Sequence, residues 1–442
     1  MTAGALLTDL YQLTMMQAYW RESMHERAVF SVSVRRISPR RNYLIACGLA
    51  AVIEYLERLR FSPEDLEYLA TLPQFEPAFL DSLREFRFTG DVHAVPEGTP
   101  VFADEPILEV VAPLPEAQLV ETFVLNALHL ETLLASKAAR VVAAAAGRTV
   151  VDFGMRRIHG ADAALRGARA FRIAGVDATS NVLAGRLYGI PVSGTMAHSY
   201  IQAHDSELDA FRAFTRVYPD AVLLVDTYGT MAGVENVITL ARELGDAFRV
   251  RAVRLDSGDL AALARSARAR LDAAGLHAVN IFASGGLDEF SVHELVRAGA
   301  PIDGFGVGTA MGVSKDYPAL DIVYKLAEYA GSGRVKTSPG KPVLPGRKQV
   351  FRSERDGVAI ADTIAIHDEA HAGRPLLRPV MRNGRRIEDA VESMEEARAR
   401  AAAELGRLPE PIRAIEPAPQ PYTVRVSAAL DRLHQDVIAR TS

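Results

Sequence analysis

The middle third of the chain alternates between short apolar runs and longer amphipathic stretches. Six apolar runs each end in a polar or glycine-bearing turn, at intervals of roughly 30 residues, the length of one strand-helix unit. Such runs predict strands, and apolar stripes such as Val234, Val237 and Ile238 predict the helices between them. Repeated strand-helix units predict parallel strands in a barrel or a wound sheet. The six predicted strands are Thr149–Phe153, Ile190–Val192, Val222–Val225, Arg249–Leu255, Val279–Ala283 and Ile302–Val307.

The two ends of the chain show a mixed pattern of helices and strands. Residues 28–34 alternate between apolar and small polar side chains, as a half-buried strand does. Ser62-Pro63 has the composition of a helix start. Residues 1–130 therefore predict a mixed α/β domain. The other predicted elements are helices over residues 9–20, 49–59, 116–146 and 387–405, and short strands between residues 90 and 111 and over residues 358–366.

Composition narrows the class of protein. The chain has 442 residues, enough for two domains, and 49% of them are hydrophobic. Its net charge of -5 argues against general binding to nucleic acid or to an anionic membrane. The single cysteine, Cys47, excludes an internal disulfide and fits a reducing compartment, and we expect it to be buried. Since the sequence shows neither a signal peptide nor an apolar run of about 20 residues, we expect a cytoplasmic protein.

Glycine-rich turns follow the last two predicted strands. In parallel α/β folds the functional site lies at the carboxyl ends of the strands. Ser284-Gly285-Gly286 and Gly306-Val307-Gly308-Thr309 occupy these ends. Glycines let backbone amides approach phosphate oxygens. Either turn alone is also compatible with a simple tight turn, but the two together predict a phosphorylated ligand.

A basic loop over residues 331–352 follows these turns. It contains six cationic residues and no acidic residue, in a chain that is acidic overall. The alternative to a binding role is a solvated basic loop. Because the loop follows two glycine-rich strand ends, we expect it to bind anions. The phosphate ligands predicted in it are Lys336, Lys341 and Lys348.

Two aspartates and three arginines lie at the other strand ends. Asp226 and Asp256 can hold Mg²⁺ or bind sugar hydroxyls, and the structural alternative is that each caps the next helix. Arg156, Arg157 and Arg254 can form a fork for a carboxylate or a phosphate. Their structural alternative is an ion pair with one of the aspartates.

His198 lies in the stretch Gly194-Thr195-Met196-Ala197-His198-Ser199. As a metal ligand it lacks a partner at metal-binding spacing. Two other interpretations stay open on the residues alone. His198 is either an ordinary hydrogen-bonded core histidine or a nucleophile or general base, a role that suits an imidazole titrating near about 6.5.

Taken together, these motifs resemble the nicotinate phosphoribosyltransferase family. They run in the family's order over about residues 5 to 355, and the last 80 or so residues match only loosely. Each motif is modest by itself, and jointly they are specific. The stretches that carry the resemblance are residues 8–15, Asp152-Phe153-Gly154-Met155-Arg156-Arg157, residues 194–199, Arg254-Leu255-Asp256-Ser257-Gly258-Asp259 and the basic loop to Arg352.

The resemblance implies a fold and a reaction. The fold is an irregular β/α barrel of the type II phosphoribosyltransferase kind plus a mixed α/β domain built from both chain ends. The domains would be residues 1–130, the barrel over residues 131–325, and residues 326–442, which would carry the basic loop and pack with the N-terminal domain. The reaction joins nicotinate to phosphoribosyl pyrophosphate with coupled ATP hydrolysis, in NAD salvage. The implied cofactor is Mg²⁺, and the implied assembly is a homodimer with shared active sites.

The resemblance also implies roles for individual residues. His198 would be transiently phosphorylated by ATP, with Asp256 as the second catalytic residue. Tyr11 would bind nicotinate, reaching the neighbouring subunit. The other nicotinate ligands would be Phe153, Arg157, Thr195 and Arg254. The ligands of phosphoribosyl pyrophosphate would be Arg156, Asp226, Ser284, Gly285, Gly286, Gly308, Thr309 and the three lysines of the loop, and Mg²⁺ would be held by Asp226 and Asp256.

Two other functions remain open on the sequence. Nicotinamide phosphoribosyltransferases have a related barrel and the same reaction class, but the extra arginine of Phe153-Gly154-Met155-Arg156-Arg157 looks more like the acid-specific family. A catalytically dead barrel that binds a nucleotide is the second alternative. Loss of His198 or Asp256 would favour it, and both residues are present.

Overall fold

The chain forms two compact units, each with its own sheet system. The computed structural model describes residues 4–337, 343–390 and 392–441. The first unit contains both chain ends, Met1–Ser136 and Ala319–Ser442, and the second is Lys137–Pro318. The predicted fold class is confirmed, because a parallel sheet with helices occupies the middle of the chain and a mixed α/β unit is built from its two ends.

The described residues form seventeen α-helices and nineteen strands. The helices are α1 (Leu10–Arg21), α2 (Leu49–Arg58), α3 (Pro63–Ala70), α4 (Pro77–Ser82), α5 (Leu114–Leu119), α6 (Glu121–Ala145), α7 (Ala161–Ile173), α8 (Val182–Tyr188), α9 (His198–Gln202), α10 (Glu207–Val217), α11 (Thr230–Leu244), α12 (Leu260–Ala273), α13 (Glu289–Arg297), α14 (Thr309–Gly312), α15 (Met394–Arg407), α16 (Glu410–Arg413) and α17 (Ala428–Thr441). The strands are β1 (Arg27–Val34), β2 (Leu44–Ile45), β3 (Asp91–Ala94), β4 (Pro100–Val101), β5 (Pro106–Pro113), β6 (Thr149–Asp152), β7 (Ala178–Thr179), β8 (Val222–Leu224), β9 (Ala252–Leu255), β10 (Asn280–Ala283), β11 (Gly304–Val307), β12 (Ile322–Tyr329), β13 (Ser332–Gly333), β14 (Lys348–Arg355), β15 (Val358–Ile366), β16 (Arg374–Pro375), β17 (Arg378–Arg382), β18 (Arg385–Arg386) and β19 (Val424–Val426).

The first unit is organised around β1, which was predicted from its alternating pattern. β1 pairs on both sides in a seven-stranded antiparallel sheet of order β13-β12-β1-β5-β3-β17-β18. Both faces of β1 are largely buried, so even the polar Ser31 is covered, and its hydroxyl donates to Glu109 at 2.7 Å. A second sheet has the order β16-β14-β15-β19. Cys47 is buried, as predicted.

Helix starts in the first unit follow capping chemistry. The helix start predicted at Ser62-Pro63 is confirmed, because the Ser62 hydroxyl accepts from the amide of Asp65 in a capping box. The helix predicted over residues 387–405 was placed too early. It begins at Met394, because Ser393 forms a capping box with Glu396 at that point. The helix predicted over residues 116–146 is instead two helices, α5 and α6.

The second unit contains six parallel strands in the order β7-β6-β11-β10-β9-β8. Five of the six predicted strands are present. The last strand of the series, β11, lies between β6 and β10, with parallel pairing on both sides. Because the strands are parallel, all their carboxyl ends meet at one edge of the sheet. The sheet is open, since β7 and β8 are edge strands within the described residues.

The strand predicted at Ile190–Val192 is wrong. The sheet position next to β6 is taken by β7, and Val192 contributes a single bridge to Thr179. Pro191 explains the difference, because proline has no amide hydrogen to donate to a ladder. The loop that carries His198 therefore leaves the sheet edge after one bridge.

The helices of the second unit bury the stripes that the sequence predicts. On α11, Val234, Val237 and Ile238 are buried. The start of α11 lies very close to the sheet, because a Cβ added at Gly233 would lie 2.1 Å from the carbonyl oxygen of Val225. Across the described residues, every helix is too short or too polar to cross a bilayer.

Candidate active site

The predicted site residues of the second unit gather at the carboxyl edge of the parallel sheet. Phe153, Asp226 and Asp256 follow β6, β8 and β9, and Ser284 and Gly308 follow β10 and β11. The topology brings these strand ends together although they are far apart in sequence. This placement agrees with the general location of sites in open parallel sheets.

His198 is the first residue of α9, and its ring is held between two neighbouring loops. Its Nδ1 lies 3.1 Å from the Thr227 hydroxyl. Its Nε2 lies 4.0 Å from a carboxylate oxygen of Asp256. The side chain is 42% exposed, so the imidazole is both oriented and accessible. With Nδ1 bonded to the hydroxyl, Nε2 is the nitrogen presented to a reactant. This histidine is not the fully buried core histidine of the structural alternative.

Arg254 lies beside His198 and is mostly buried. It donates from Nη1 to the Thr195 hydroxyl, and its Nη2 lies 3.8 Å from Asp256 Oδ1. Burial lowers the pKa of Arg254, while the charges of Asp256 and Asp226 act in the opposite direction. Its Nε is buried and has no hydrogen-bond partner among the described residues. The guanidinium therefore has donor capacity left for an anionic ligand.

The two aspartates are joined by hydrogen bonds. Asp226 Oδ2 accepts from the amide of Asp256 at 2.9 Å and from the Ser257 hydroxyl at 2.7 Å. Asp256 Oδ1 accepts from the Ser284 hydroxyl. Asp226 Oδ1 is buried and has no partner within the described part of the chain. A carboxylate oxygen with this much unused capacity fits a divalent cation or a ligand hydroxyl, so the residues present suit Mg²⁺.

Phe153 is positioned by Asp152, which the sequence analysis gave no role. Asp152 is buried, and it accepts from the amide of Gly154 and from the Thr179 hydroxyl, both at 2.7 Å. Burial raises the pKa of Asp152. The Phe153 ring covers Gly306, where an added Cβ would lie 2.5 Å from the ring. Only glycine at 306 leaves room for the ring, which provides an aromatic face near the strand ends.

The glycine turns are packed closely against their neighbours. Gly285 has a φ of +90°, and a Cβ there would lie 1.8 Å from the carbonyl oxygen of Asp256. A Cβ at Gly308 would lie 3.1 Å from the carbonyl oxygen of Phe153. Thr309 directly follows Gly308 and begins α14. Glycine at 285 therefore lets the turn after β10 approach the loop after β9.

Arg156 and Arg157 are exposed in a short 3₁₀ turn after β6. The Arg156 guanidinium donates to the carbonyl of Phe153 at 3.3 Å. Its charge also helps to lower the pKa of Arg254, so the two cations interact electrostatically. A concentration of positive charge at this edge of the sheet favours an anionic ligand.

Sequence reasoning missed the hydroxyls that orient these groups. Thr227 and Ser257 each follow an aspartate at a strand end, and they bond to His198 and to Asp226. Their place beside Asp226 and Asp256 was the available signal. The residues that the sequence pattern singled out and the structure brings to this edge are Phe153, Arg156, Arg157, Thr195, His198, Asp226, Arg254, Asp256, Ser284, Gly285, Gly286, Gly308 and Thr309.

The other predicted ligands belong to the first unit. The Tyr11 hydroxyl lies 3.2 Å from Glu121, and the ring is 47% exposed. Burial, reinforced by the charge of Glu121, raises the pKa of Tyr11 to about 12. Lys336 is exposed, and Lys341 lies outside the described residues. The roles given to these residues stay predictions.

Lys348 has contacts that differ from those of a free surface lysine. Its side chain is 4% exposed, and its ammonium lies 3.2 Å from Glu109 and donates to the carbonyl of Gly346. It also borders a cavity of about 360 Å³ that is lined by the basic residues Arg35, Lys325 and Arg425 and by the acidic residues Asp104 and Asp431. Lys348 therefore has a structural role, and its predicted phosphate role stays a prediction.

Comparison with known proteins gives the family. Three family models match consecutive parts of the chain. They are the nicotinate phosphoribosyltransferase N-terminal domain over residues 6–129, the nicotinate phosphoribosyltransferase family over residues 149–359 and the nicotinate phosphoribosyltransferase C-terminal domain over residues 370–434. The chain belongs to the nicotinate phosphoribosyltransferase family. The match extends into the C-terminal residues, where the resemblance in sequence was loose.

Curated relatives support the family over nearly the whole chain. The nicotinate phosphoribosyltransferase pncB2 of Mycobacterium tuberculosis is 56% identical over 96% of this chain and 92% of its own length. The nicotinate phosphoribosyltransferase of Bacillus subtilis is 43% identical over 83% of this chain and 76% of its own length. Both relatives are matched over at least three quarters of their own length.

Solved structures agree with the fold. The crystal structure of human nicotinic acid phosphoribosyltransferase matches with a TM-score of 0.86 and 28% identity, over 97% of this chain and 99% of that one. The crystal structure of a nicotinate-nucleotide pyrophosphorylase from Pyrococcus furiosus matches with a TM-score of 0.74 and 25% identity, over 91% and 95%. The type II phosphoribosyltransferase fold implied by the sequence is thereby confirmed.

Proposed function

We propose that this member of the family joins nicotinate to phosphoribosyl pyrophosphate, giving nicotinate mononucleotide and pyrophosphate, with coupled ATP hydrolysis. The observation that carries the proposal is the arrangement of His198, whose Nδ1 is bonded to Thr227 while Nε2 faces the Asp256–Arg254 pair. A nucleophilic nitrogen beside an anion-binding guanidinium suits phosphoryl transfer.

In the coupled step, His198 Nε2 attacks the terminal phosphorus of ATP. The N–P bond forms, the bond to the bridging oxygen breaks, and ADP leaves. Water later cleaves the N–P bond and releases phosphate. The phosphoryl group adds negative charge beside Arg254, and this charge can draw nearby cations toward it. We infer that this rearrangement is how ATP hydrolysis tightens substrate binding.

In the glycosyl step, the pyridine nitrogen of nicotinate already carries a lone pair, so its attack on the sugar carbon needs no general base. The difficult part is to stabilise the departing pyrophosphate and the oxocarbenium-like sugar. Mg²⁺ held by Asp226 and Asp256 would supply positive charge to the leaving group. Arg254 and Arg157 would bind the nicotinate carboxylate, and Phe153 would stack on its ring.

Phosphoribosyl pyrophosphate would lie along the glycine turns. Gly285, Gly286 and Gly308 leave backbone approach open for the 5-phosphate, and Thr309 offers a hydroxyl. Arg156 adds a cation at the same edge, and the ribose hydroxyls would meet the aspartates. Arg35, Lys325 and Arg425 outnumber Asp104 and Asp431 in the lining of the cavity at Lys348, and this excess of basic side chains supports a further anion-binding role for the loop that contains Lys348.

The assembly that we propose is a homodimer. Three large apolar side chains of α8 are exposed, namely Val182 at 71%, Leu183 at 40% and Leu187 at 53%. Val192, which follows α8 in the chain, extends this surface. It packs against Gly185 of α8 and is 52% exposed. A contiguous apolar patch of this kind marks an interface more often than a free surface. A partner subunit would also bring a second copy of Tyr11.

The test is incubation of the protein with phosphoribosyl pyrophosphate, Mg²⁺ and ATP, with either nicotinate or nicotinamide. Nicotinate mononucleotide formed faster with ATP is the expected result. Use of nicotinamide in preference to nicotinate would favour the amide-specific alternative, and binding without turnover would favour a catalytically dead barrel.

The phosphohistidine is tested with a matched pair of histidines. His198→Ala should abolish both ATP stimulation and the acid-labile phosphate that ATP leaves on the protein. His204→Ala is the control, because His204 lies at the end of α9 with its Nδ1 2.8 Å from the carbonyl of Tyr200. Full ATP stimulation of His198→Ala would refute the phosphohistidine step.

A further inference from the structure

A buried ion cluster lies behind the glycine turns of the second unit. Lys137, on α6, is 1% exposed. Its ammonium lies 2.5 Å from Glu289 Oε2 and 2.6 Å from Asp316 Oδ1. Arg140 lies on the same helix, and its Nε donates to the other oxygen of Glu289 at 3.0 Å. Two cations and two carboxylates thus form a buried cluster without net charge.

The two carboxylates come from the two segments that follow the glycine turns. Glu289 is the first residue of α13, which directly follows the turn containing Gly285 and Gly286. Asp316 lies shortly after α14, the helix that begins at Thr309. A single ammonium, that of Lys137, therefore connects the segment after β10 to the segment after β11.

Stability alone does not account for such a cluster. Removing charges from water is expensive, and well-packed apolar residues in place of a buried ion pair are often as stabilising or more so. What a buried ion pair adds is a fixed geometry, because the ammonium holds each carboxylate at hydrogen-bond distance. In this cluster the groups held at fixed separation are the two chain segments.

The glycine turns tolerate little displacement. At Gly285 there is no room for even a methyl group beside the carbonyl of Asp256, and Gly308 lies close to the carbonyl of Phe153. A shift of either turn would move the residues that it contacts. The separation of the turns also decides whether their amides reach one phosphate group together.

We propose that Lys137 is a positioning residue that sets the separation of the two glycine turns and thereby the affinity for the 5-phosphate of phosphoribosyl pyrophosphate. The inference rests on the proposed function for the identity of the ligand. Lys137 acts through Glu289 and Asp316 and does not itself touch the substrate.

The main test is the double variant Lys137→Met/Asp316→Asn. It removes one cation and one carboxylate, so Glu289 keeps its bond to Arg140 and the cluster stays neutral. We expect the KM for phosphoribosyl pyrophosphate to rise roughly 10- to 100-fold, the cost of about 1 Å of misplacement. The KM for nicotinate should rise less, since Arg254 and Thr195 meet the turn after β10 only through Asp256.

Two further variants serve as a substitute for the double variant and as its control. Asp316→Asn alone breaks only the connection to the segment after β11, and it replaces the double variant if that variant does not fold. It should give a smaller rise of the KM for phosphoribosyl pyrophosphate. Arg268→Met is the matched control. Arg268 also ties a helix to the chain, through the carbonyls of Leu276 and Val279, but it does so before β10 rather than after it. Its loss should leave both KM values unchanged.

Calorimetric binding of phosphoribosyl pyrophosphate separates this inference from the proposed function. Weaker binding by the folded double variant than by the natural protein supports the inference, whether or not nicotinate is the second substrate. Equal binding by the two proteins overturns it, and so does an equal rise of both KM values. If the natural protein binds phosphoribosyl pyrophosphate but makes no nicotinate mononucleotide, the proposed function fails and the binding comparison still decides the role of Lys137.

Discussion

Replacing Gly285 with alanine tests whether the turn after β10 holds Asp256 in place. Gly285 and Gly275, a turn glycine between α12 and β10, both have positive φ, +90° and +76°, so an alanine at either position costs roughly 1 to 2 kcal/mol of backbone strain. The two positions differ in space. A Cβ at 285 would lie 1.8 Å from the carbonyl oxygen of Asp256, whereas no described atom lies within 4 Å of a Cβ at 275.

The difference in space predicts a difference in activity. Real Cβ contacts begin near 3.0 Å, so Gly285→Ala has to move the Asp256 carbonyl or the turn by more than 1 Å. A displacement of about 1 Å near reacting groups costs roughly 100-fold in rate. Gly275→Ala should lose a similar amount of stability to backbone strain and retain most of its activity, because Gly275 lies away from the strand ends that carry the site.

The assay is kcat/KM for phosphoribosyl pyrophosphate together with the free energy of unfolding by denaturant. The matched pair separates strain from displacement, because both variants carry the strain and only one requires movement. Natural activity in Gly285→Ala would refute the close approach of this turn to Asp256. An equal loss of activity in both variants would show that left-handed strain, and not the contact, is responsible.

Three further predictions concern the substrate, the assembly and pH. Arg254→Gln should raise the KM for nicotinate roughly 10- to 100-fold, because one charge-assisted hydrogen bond is lost, and should leave binding of uncharged nicotinamide unchanged. Calorimetry with both ligands checks this prediction, and an equal weakening of nicotinate and nicotinamide binding would contradict it. Leu187→Glu should give monomers in light scattering, whereas the exposed control Tyr68→Glu should not, and an unchanged mass for Leu187→Glu would exclude the α8 patch as the interface. Burial, together with the charge of Arg347, lowers the pKa of His93 to about 4 in the folded chain. As the pH falls below about 6.5, His93 therefore binds a proton in the unfolded chain but not yet in the folded chain. The His93 side chain therefore leaves the free energy of unfolding unchanged above about pH 6.5 and lowers it as the pH falls toward 4. After allowance for partial exposure, we expect a loss of roughly 1 kcal/mol at about pH 5 that is absent in His93→Asn. Parallel pH profiles of the unfolding free energy for the two proteins would contradict this prediction.

The sequence predicted the parallel sheet because its strands obey a simple rule. Strands that are buried on both faces are continuous apolar runs, and in this chain a polar turn follows each run. The failure at Ile190–Val192 has the same physical basis, since Pro191 interrupts an apolar run without making it less apolar. Hydropathy alone does not record the missing amide hydrogen.

Site residues could be predicted from the sequence where a local requirement of the backbone allows only one residue type. Glycine at 285 is required by close backbone approach, glycine at 308 makes a tight approach easier, and both are visible as glycine at a strand end. Thr227 and Lys137 were not predictable. Their roles depend on partners more than 25 residues away, namely His198 for Thr227 and both Glu289 and Asp316 for Lys137. Such pairings follow from the topology, which one sequence pattern does not encode.

The position of β11 has a consequence for how the chain folds. Gly304 of β11 pairs with Thr149 of β6, 155 residues earlier, and β11 must insert between β6 and β10. Closing so long a loop slows folding, because the entropy is lost before the pairing compensates for it. During synthesis the strands β6 to β10 emerge with the central gap still open, and the amides of the two glycine turns come together only after β11 has been made. A ribosome-bound chain that stops short of Gly304 therefore lacks the turn after β11, and the edge at which the strand ends meet is incomplete.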